Sequence, residues 1–304
     1  MTRSLTLTGA LLTLAACSGG DVTQPPGFFF GSNDPDTGGN GLGYADDASQ
    51  LNELDGQTSK LRMVRYVRDP NTGAARFLTT DDVLEQIDSE NFTVSFADET
   101  ITFVEREAFR ADGSSIRSRT LDGNFAQVLE FNSGASVNPV NEETVGYTIV
   151  GFETDPAEIA GTTGRVFYTG TSFYAGTVSD LDGNVLDDGF RGSTSAFFEA
   201  DFGSGNITGS YTIDLEDETS VSREVFELEL APTAIIGNGF AGDLTVANCG
   251  AGFTCTSASE IGGVFYGPQA DNIGGIVGFD ITKQNANGNG IAVVGAGGFV
   301  AGLD

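Results

Sequence analysis

The chain has no histidine and no tryptophan, and only two methionines, three cysteines and eight prolines in 304 residues. Without an imidazole it cannot build a His-bound metal site, a His-ligated haem, or the base of a Ser-His or Cys-His pair. Lysine is nearly missing as well: Lys60 and Lys283 are the only two. Lysine plus arginine number 14 against 43 acids, a formal net charge of −29. So acidic a chain cannot supply the phosphate neutralisation that nucleic-acid binding requires, nor dock by charge on anionic lipid. It would steer a basic partner inward; it equally keeps a protein dispersed in a salty medium, the simpler reading. No GxSxG element and no lysine-bearing phosphate loop occurs.

Glycine and phenylalanine are abundant, with 43 Gly and 23 Phe. That composition points to a turn-rich, mainly β protein with enough apolar material for a core. Residues 18–56 are rich in Gly, Asp, Asn and Pro with no apolar period, and read as a flexible tether. Phe28-Phe29-Phe30 interrupts it, either as a docking or export handle or as a cluster packed against the first folded domain. Residues 57–155 read as a small β-rich domain: strands over 60–67, 92–96, 101–109, 125–131 and 144–152, and a short amphipathic helix over 80–88 (TDDVLEQID). This region is less acidic than the rest: nine basic residues face fifteen acids between 58 and 150, and four face twenty-one from 151 onward. By strand parity Lys60, Arg62 and Arg68 share one face, either a contact stripe or ordinary solvated edge charges.

Residues 160–304 contain eight strand-like segments, at 165–177, 193–202, 206–215, 223–231, 237–246, 257–266, 272–282 and 291–302. Turn signals at 182–184, 203–205, 216–220 and 285–289 make neighbours antiparallel. An even number of such strands predicts a closed up-and-down barrel. Ile207, Tyr211, Ile213 and Leu215 alternate with Thr208, Ser210, Thr212 and Asp214, and Phe226, Leu228 and Leu230 with Glu227 and Glu229. Large apolar residues filling the inside, with acids meeting water, make this a soluble barrel with a packed interior rather than a membrane-spanning one.

Few residues offer chemistry. Cys249 and Cys255, six apart between the fifth and sixth strands, read as a disulfide closing a surface loop in an exported protein. Two cysteines without histidine are half a zinc shell, so no metal is expected. Phe253 inside that loop is either a partner anchor or a side chain tucked on the barrel. Asp180-Leu181-Asp182-Gly183-Asn184 begins like a calcium loop, but Arg191 stands where the bidentate Glu belongs, so a hairpin turn fits better. Carboxylate pairs such as Asp187-Asp188 and Glu216-Asp217-Glu218 are read as solvated loop charges, with no pair marked out as general acid and base. No catalytic residue and no cofactor is expected.

Two resemblances add to this. Arg3, the apolar run 5–14 and Leu14-Ala15-Ala16-Cys17 resemble a bacterial lipoprotein signal, residues 1–17, in which Cys17 is acylated. Ser18 rather than Asp after the cysteine implies, by analogy with sorting rules, an outer-membrane location. The stretch 262–279, GGVFYGPQADNIGGIVGF, resembles the signature of the transferrin-binding-protein-B-like surface lipoproteins. Gly263, Phe265, Tyr266, Gly267, Pro268, Ala270, Gly274 and Gly275 match it; Asn272 stands in place of a usual glutamate and Val277 in place of a common Phe. Gly267-Pro268 should stop one strand, 269–272 has room for a helical turn, and Gly274-Gly275 should re-enter the next strand at a close backbone approach. The resemblance implies a handle-like domain before a filled eight-stranded barrel. It also implies a lipid-anchored protein, on the cell surface or facing the periplasm, that binds a protein or an iron- or haem-bearing nutrient beside a TonB-type transporter. A structural or adhesive envelope lipoprotein is the alternative; a carboxylate-dependent glycosidase is a more distant one.

Overall fold

The computed structural model describes Tyr44 and residues 58–68, 74–86, 91–96, 99–104, 115–118, 125–133, 143–215 and 224–304. Residues 1–43, with Cys17 and Phe28-Phe29-Phe30, lie outside them, as does the 216–220 turn.

Seven strands form a first antiparallel sheet: β1 (Thr58–Arg68), β2 (Ala75–Gln86), β3 (Asn91–Phe96), β4 (Glu99–Val104), β5 (Ser115–Ser118), β6 (Ala126–Ser133) and β7 (Glu143–Gly151). Their order is β4-β3-β2-β1-β7-β6-β5. The helix expected over 80–88 is not formed. Residues 80–86 belong to β2, which pairs with β1 from Ala75 to Glu85 and with β3 from Val83 to Gln86, and 87–88 lie outside the described residues. Strand pairing on both sides outweighed a local helical pattern, and it sets Asp81 opposite Arg62 in register.

After the short helix α1 (Pro156–Gly161) come β8 (Arg165–Asp180), β9 (Val185–Asp201), β10 (Asn206–Leu215), β11 (Glu224–Ala234), β12 (Gly239–Val246), β13 (Phe253–Ser257), β14 (Ser259–Tyr266), β15 (Asn272–Asn285) and β16 (Gly290–Leu303). β16 pairs with both β15 and β8, which closes a barrel of eight antiparallel strands. β13 and β14 run along the same partner, β15, and together serve as one strand position. β9 starts at Val185, well before the expected 193, so Asp187 and Asp188 lie in a strand rather than a loop. Asp187 lies opposite Val178, where the β8–β9 register shifts at a bulge.

The barrel has no empty lumen. Tyr168, Tyr174, Tyr211, Phe226, Phe240, Phe265, Phe279 and Phe299 are all fully buried and share one core cluster. Their packing explains much of the glycine. Phe240 lies directly opposite Gly263, Phe299 opposite Gly275, and Phe279 opposite Gly295. A Cβ at Gly263 or Gly275 would come within 2.6 Å of the facing ring. Each bulky ring thus takes the volume its cross-strand neighbour gives up.

The first sheet lies against the outside of the barrel. A second core cluster joins Val64, Tyr66, Val128, Tyr147 and Ile149 of the sheet to Ala175, Val264, Ile276, Ala296 and Val300 of the barrel. Gly274 and Gly298 belong to this contact: a Cβ on either would stand about 3.1 Å from Ile149 or Val128. Polar contacts fix the sheet laterally. The Tyr66 and Thr177 hydroxyls are hydrogen-bonded, and Arg191 Nη1 pairs with the buried Glu130 carboxylate at 2.7 Å. Tyr147 donates its hydroxyl to the same carboxylate at 3.2 Å.

Candidate binding site

The up-and-down topology sorts the connections to two ends. One end carries the turns 202–205, 235–238 and 267–271; the other, the mouth, carries 181–184, 247–252 and 286–289. The first end is sealed by the chain entering the barrel. Phe152 accepts from the Gly267 N–H (3.0 Å), Thr154 donates its amide to Phe265 O (2.9 Å) and its hydroxyl to Gly267 O (2.7 Å). Asn238 donates from Nδ2 to the buried Glu153 carboxylate and to Thr154 O, each at 2.9 Å. Ile159 of α1, a helix capped by the Asp155 carboxylate, reaches into the barrel core.

Here the 262–279 stretch serves the fold. Gly267 adopts φ +88°, and a Cβ there would meet the Phe125 ring at 2.8 Å, so glycine is required twice over. Residues 269–272 form no helical turn. Gly267 O accepts from the Ala270 N–H at 3.4 Å in a turn, with Ala270 itself at φ +58°, and β15 begins at Asn272. Tyr168 donates to Ala270 O at 2.9 Å and holds that turn from inside the barrel. Gly275 makes the close backbone approach expected of it; Gly263, Phe265, Tyr266 and Gly274 are buried around the same corner.

The mouth is where side chains meet water. Cys249 and Cys255 are disulfide-bonded. Cys255 lies opposite Lys283 in register and packs on the core, which fixes Phe253, two residues away, over the barrel opening. Phe253 is 42% exposed. The Lys283 ammonium stands 4.6 Å from its ring centroid and 6.0 Å from that of Phe226, and pairs with Glu224 Oε2 at 2.6 Å. Lys283 follows Phe279 and Ile281 at inward parity on β15, so its cation caps the apolar interior. Sequence reading missed Lys283 and Glu224; a lysine at an inward position of a barrel strand was the available signal. The neighbouring 180–184 turn is a closed Asx hairpin. Asp180 Oδ2 accepts from Asn184 Nδ2 at 2.7 Å, and Oδ1 accepts from the Asn184 and Asp182 amides. The hydrogen bonds from Asn184 hold the Asp180 carboxyl below its ordinary range.

The three basic residues Lys60, Arg62 and Arg68 all lie on β1 at the same parity. Arg68, at the end of that strand, is 9% exposed. Among the described barrel residues, each basic side chain is ion-paired: Arg165 with Glu199 and Asp201, Arg191 with Glu130, and Lys283 with Glu224. The barrel therefore shows a partner mostly carboxylates and hydroxyls. Among the described residues no group of three or more His, Cys, Asp or Glu could hold a metal ion.

Comparison with known proteins agrees with the barrel. Residues 160–298 match the family model described as C-lobe and N-lobe beta barrels of Tf-binding protein B. Among solved structures, intact Ap-TbpB with its N and C lobes is 17% identical, TM-score 0.42, over 80% of this chain and 46% of its own. Isotype 1 transferrin binding protein B from serogroup B Neisseria meningitidis is 17% identical, TM-score 0.46, over 81% of this chain and 44% of its own. The N-lobe domain of lactoferrin binding protein B of Moraxella bovis is 14% identical, TM-score 0.39, over 80% of this chain and 99% of its own. This chain thus spans less than half the length of the first two. No curated protein sequence matches it.

Proposed function

Taking residues 160–298 as a barrel of the Tf-binding-protein-B family, we propose that this protein captures an iron-carrier protein, of the transferrin or lactoferrin kind, through the mouth of the barrel. The observation that carries the reading is the filled interior. Eight large aromatic side chains occupy the space where a small ligand would sit, one end is plugged by 152–161, and what remains for recognition is the rigidly supported rim. Phe253 supplies the apolar anchor at that rim, and the surrounding carboxylates favour a partner face rich in arginine and lysine. In this reading residues 18–56 tether the molecule to an acylated Cys17 in the outer membrane, and the 57–155 and 160–304 units act as one binding body beside a TonB-type transporter.

The test is a binding titration of the purified protein against iron-loaded and iron-free transferrin and lactoferrin. Binding of one carrier, weakened by about tenfold in Phe253→Ala, is the expected result; no binding to any carrier, or binding untouched by loss of the Phe253 ring, removes the proposal. Membrane fractionation tests the anchor separately: Cys17→Ala should move the protein to the soluble fraction.

A further inference from the structure

On the barrel wall, away from the mouth, strands β8 to β12 leave an open groove of about 660 Å³. Phe167 and Phe197 line it and are 54% and 49% exposed. Their register makes them diagonal neighbours on adjacent strands: Phe167 lies opposite Glu199, and Thr169 opposite Phe197. Two half-open rings sit side by side among the outward-facing Thr169, Glu199, Thr208 and Ser210, and no packing need inside explains them. The next strands add Ser210 beside Phe197 and Glu229 beside Ser210, with Thr245 beyond. Pro232 and the register shift between Ile207 and Gly209 bend β11 at the foot of the groove.

The charged side chains that line the groove are all acidic. Glu199 is engaged by Arg165 at 3.0 Å, which leaves Glu227, Glu229 and Asp304 to set the field along the groove. The Thr169 hydroxyl donates to Asp304 Oδ1 at 2.8 Å and orients that carboxylate at the groove's edge.

We propose that this groove is a second docking surface, for an extended basic segment of a protein partner that lays apolar side chains on Phe167 and Phe197 and sets arginine or lysine against Glu227, Glu229 and Asp304. A guanidinium there gains twice, from the carboxylates and from the faces of the rings. The surface is independent of the mouth, so a partner can be held at either site without the other.

The test uses the full chain and a fluorescent peptide of alternating arginine and leucine, followed by anisotropy. Phe197→Ser and Glu229→Lys should each weaken binding by about tenfold or more. Asp182→Lys, an equal charge reversal at the mouth, should change it by less than about twofold. Phe167→Ser serves as a second ring deletion should Phe197→Ser lower the melting temperature. Equal losses in Asp182→Lys and Glu229→Lys would reduce the effect to diffuse attraction by an acidic protein and overturn the proposal. So would full binding after both ring deletions, or ring-dependent binding of a neutral oligosaccharide in place of the peptide. Because Phe253→Ala leaves this groove untouched, failure here and failure of carrier binding at the mouth give different results.

Discussion

Phe240 over Gly263 is the smallest unit of this fold, and it repeats around the barrel as Phe299 over Gly275 and Phe279 over Gly295. Gly263→Ala should cost about 2 kcal/mol, since the new methyl meets a ring edge that has nowhere to go. Phe240→Leu should cost a similar amount on its own by cavity formation. Combined, the two should lose less than their sum, and denaturant unfolding of the four variants in a double-mutant cycle checks it. A second prediction concerns charge. Glu260 lies opposite Asp243 on the outer wall, and burial, with Asp243 second, raises its carboxyl above the ordinary range. Its ionisation therefore weakens the fold as pH rises through the folded-state value, and the cost is absent below the unfolded-state value. Glu260→Gln should raise the melting temperature at neutral pH, by the equivalent of about 0.5 kcal/mol, and leave it unchanged near pH 3. The glycine-ring pairs could not be read from the chain, because the partners lie far apart in sequence and only the register brings them together.

At the level of strands, period-two patterns were enough where one face is dry. The alternation over 206–215 and 224–230 placed Tyr211, Ile213, Phe226 and Leu228 inside correctly, since a one-residue slip would turn every such side chain to water. The same logic failed for β2, whose acids and apolar residues can be written on a helix as well as on a strand. Only its two sheet neighbours decide between them. The disulfide was recoverable from spacing and an expectation of export, yet its role in setting Phe253 over Lys283 was not, because that depends on the pairing of Cys255 with Lys283. Reducing it should loosen the 247–252 loop and cost about 2 kcal/mol, while β8 to β16 stay folded. Hydrogen exchange with and without reductant reads both: faster exchange confined to 247–257 is expected, and global exchange contradicts it.

For the molecule as a whole, the unforeseen feature is the joint between sheet and barrel. Composition announced a β protein and turn spacing a barrel, but an outward stripe of Val264, Ile276, Ala296 and Val300 gives no sign in sequence of what covers it. Arg191→Met should remove the cation that pairs with the buried Glu130 carboxylate, to which Tyr147 also donates. The expected cost is roughly 2 kcal/mol, less than for a fully enclosed pair because Arg191 is 38% exposed. Earlier proteolysis between 58 and 151 than in the parent, with the barrel intact, would be the readout.

That joint also governs how the protein can be divided. A fragment begun at Arg165 would bare a greasy strip along its flank and strip the Gly267 and Phe265 backbone of the partners that Phe152 and Thr154 provide. It should self-associate in solution, whereas a fragment begun at Thr58 should stay monodisperse. Anyone preparing this molecule for crystals or immunisation should therefore cut upstream of β1, never between its two sheets.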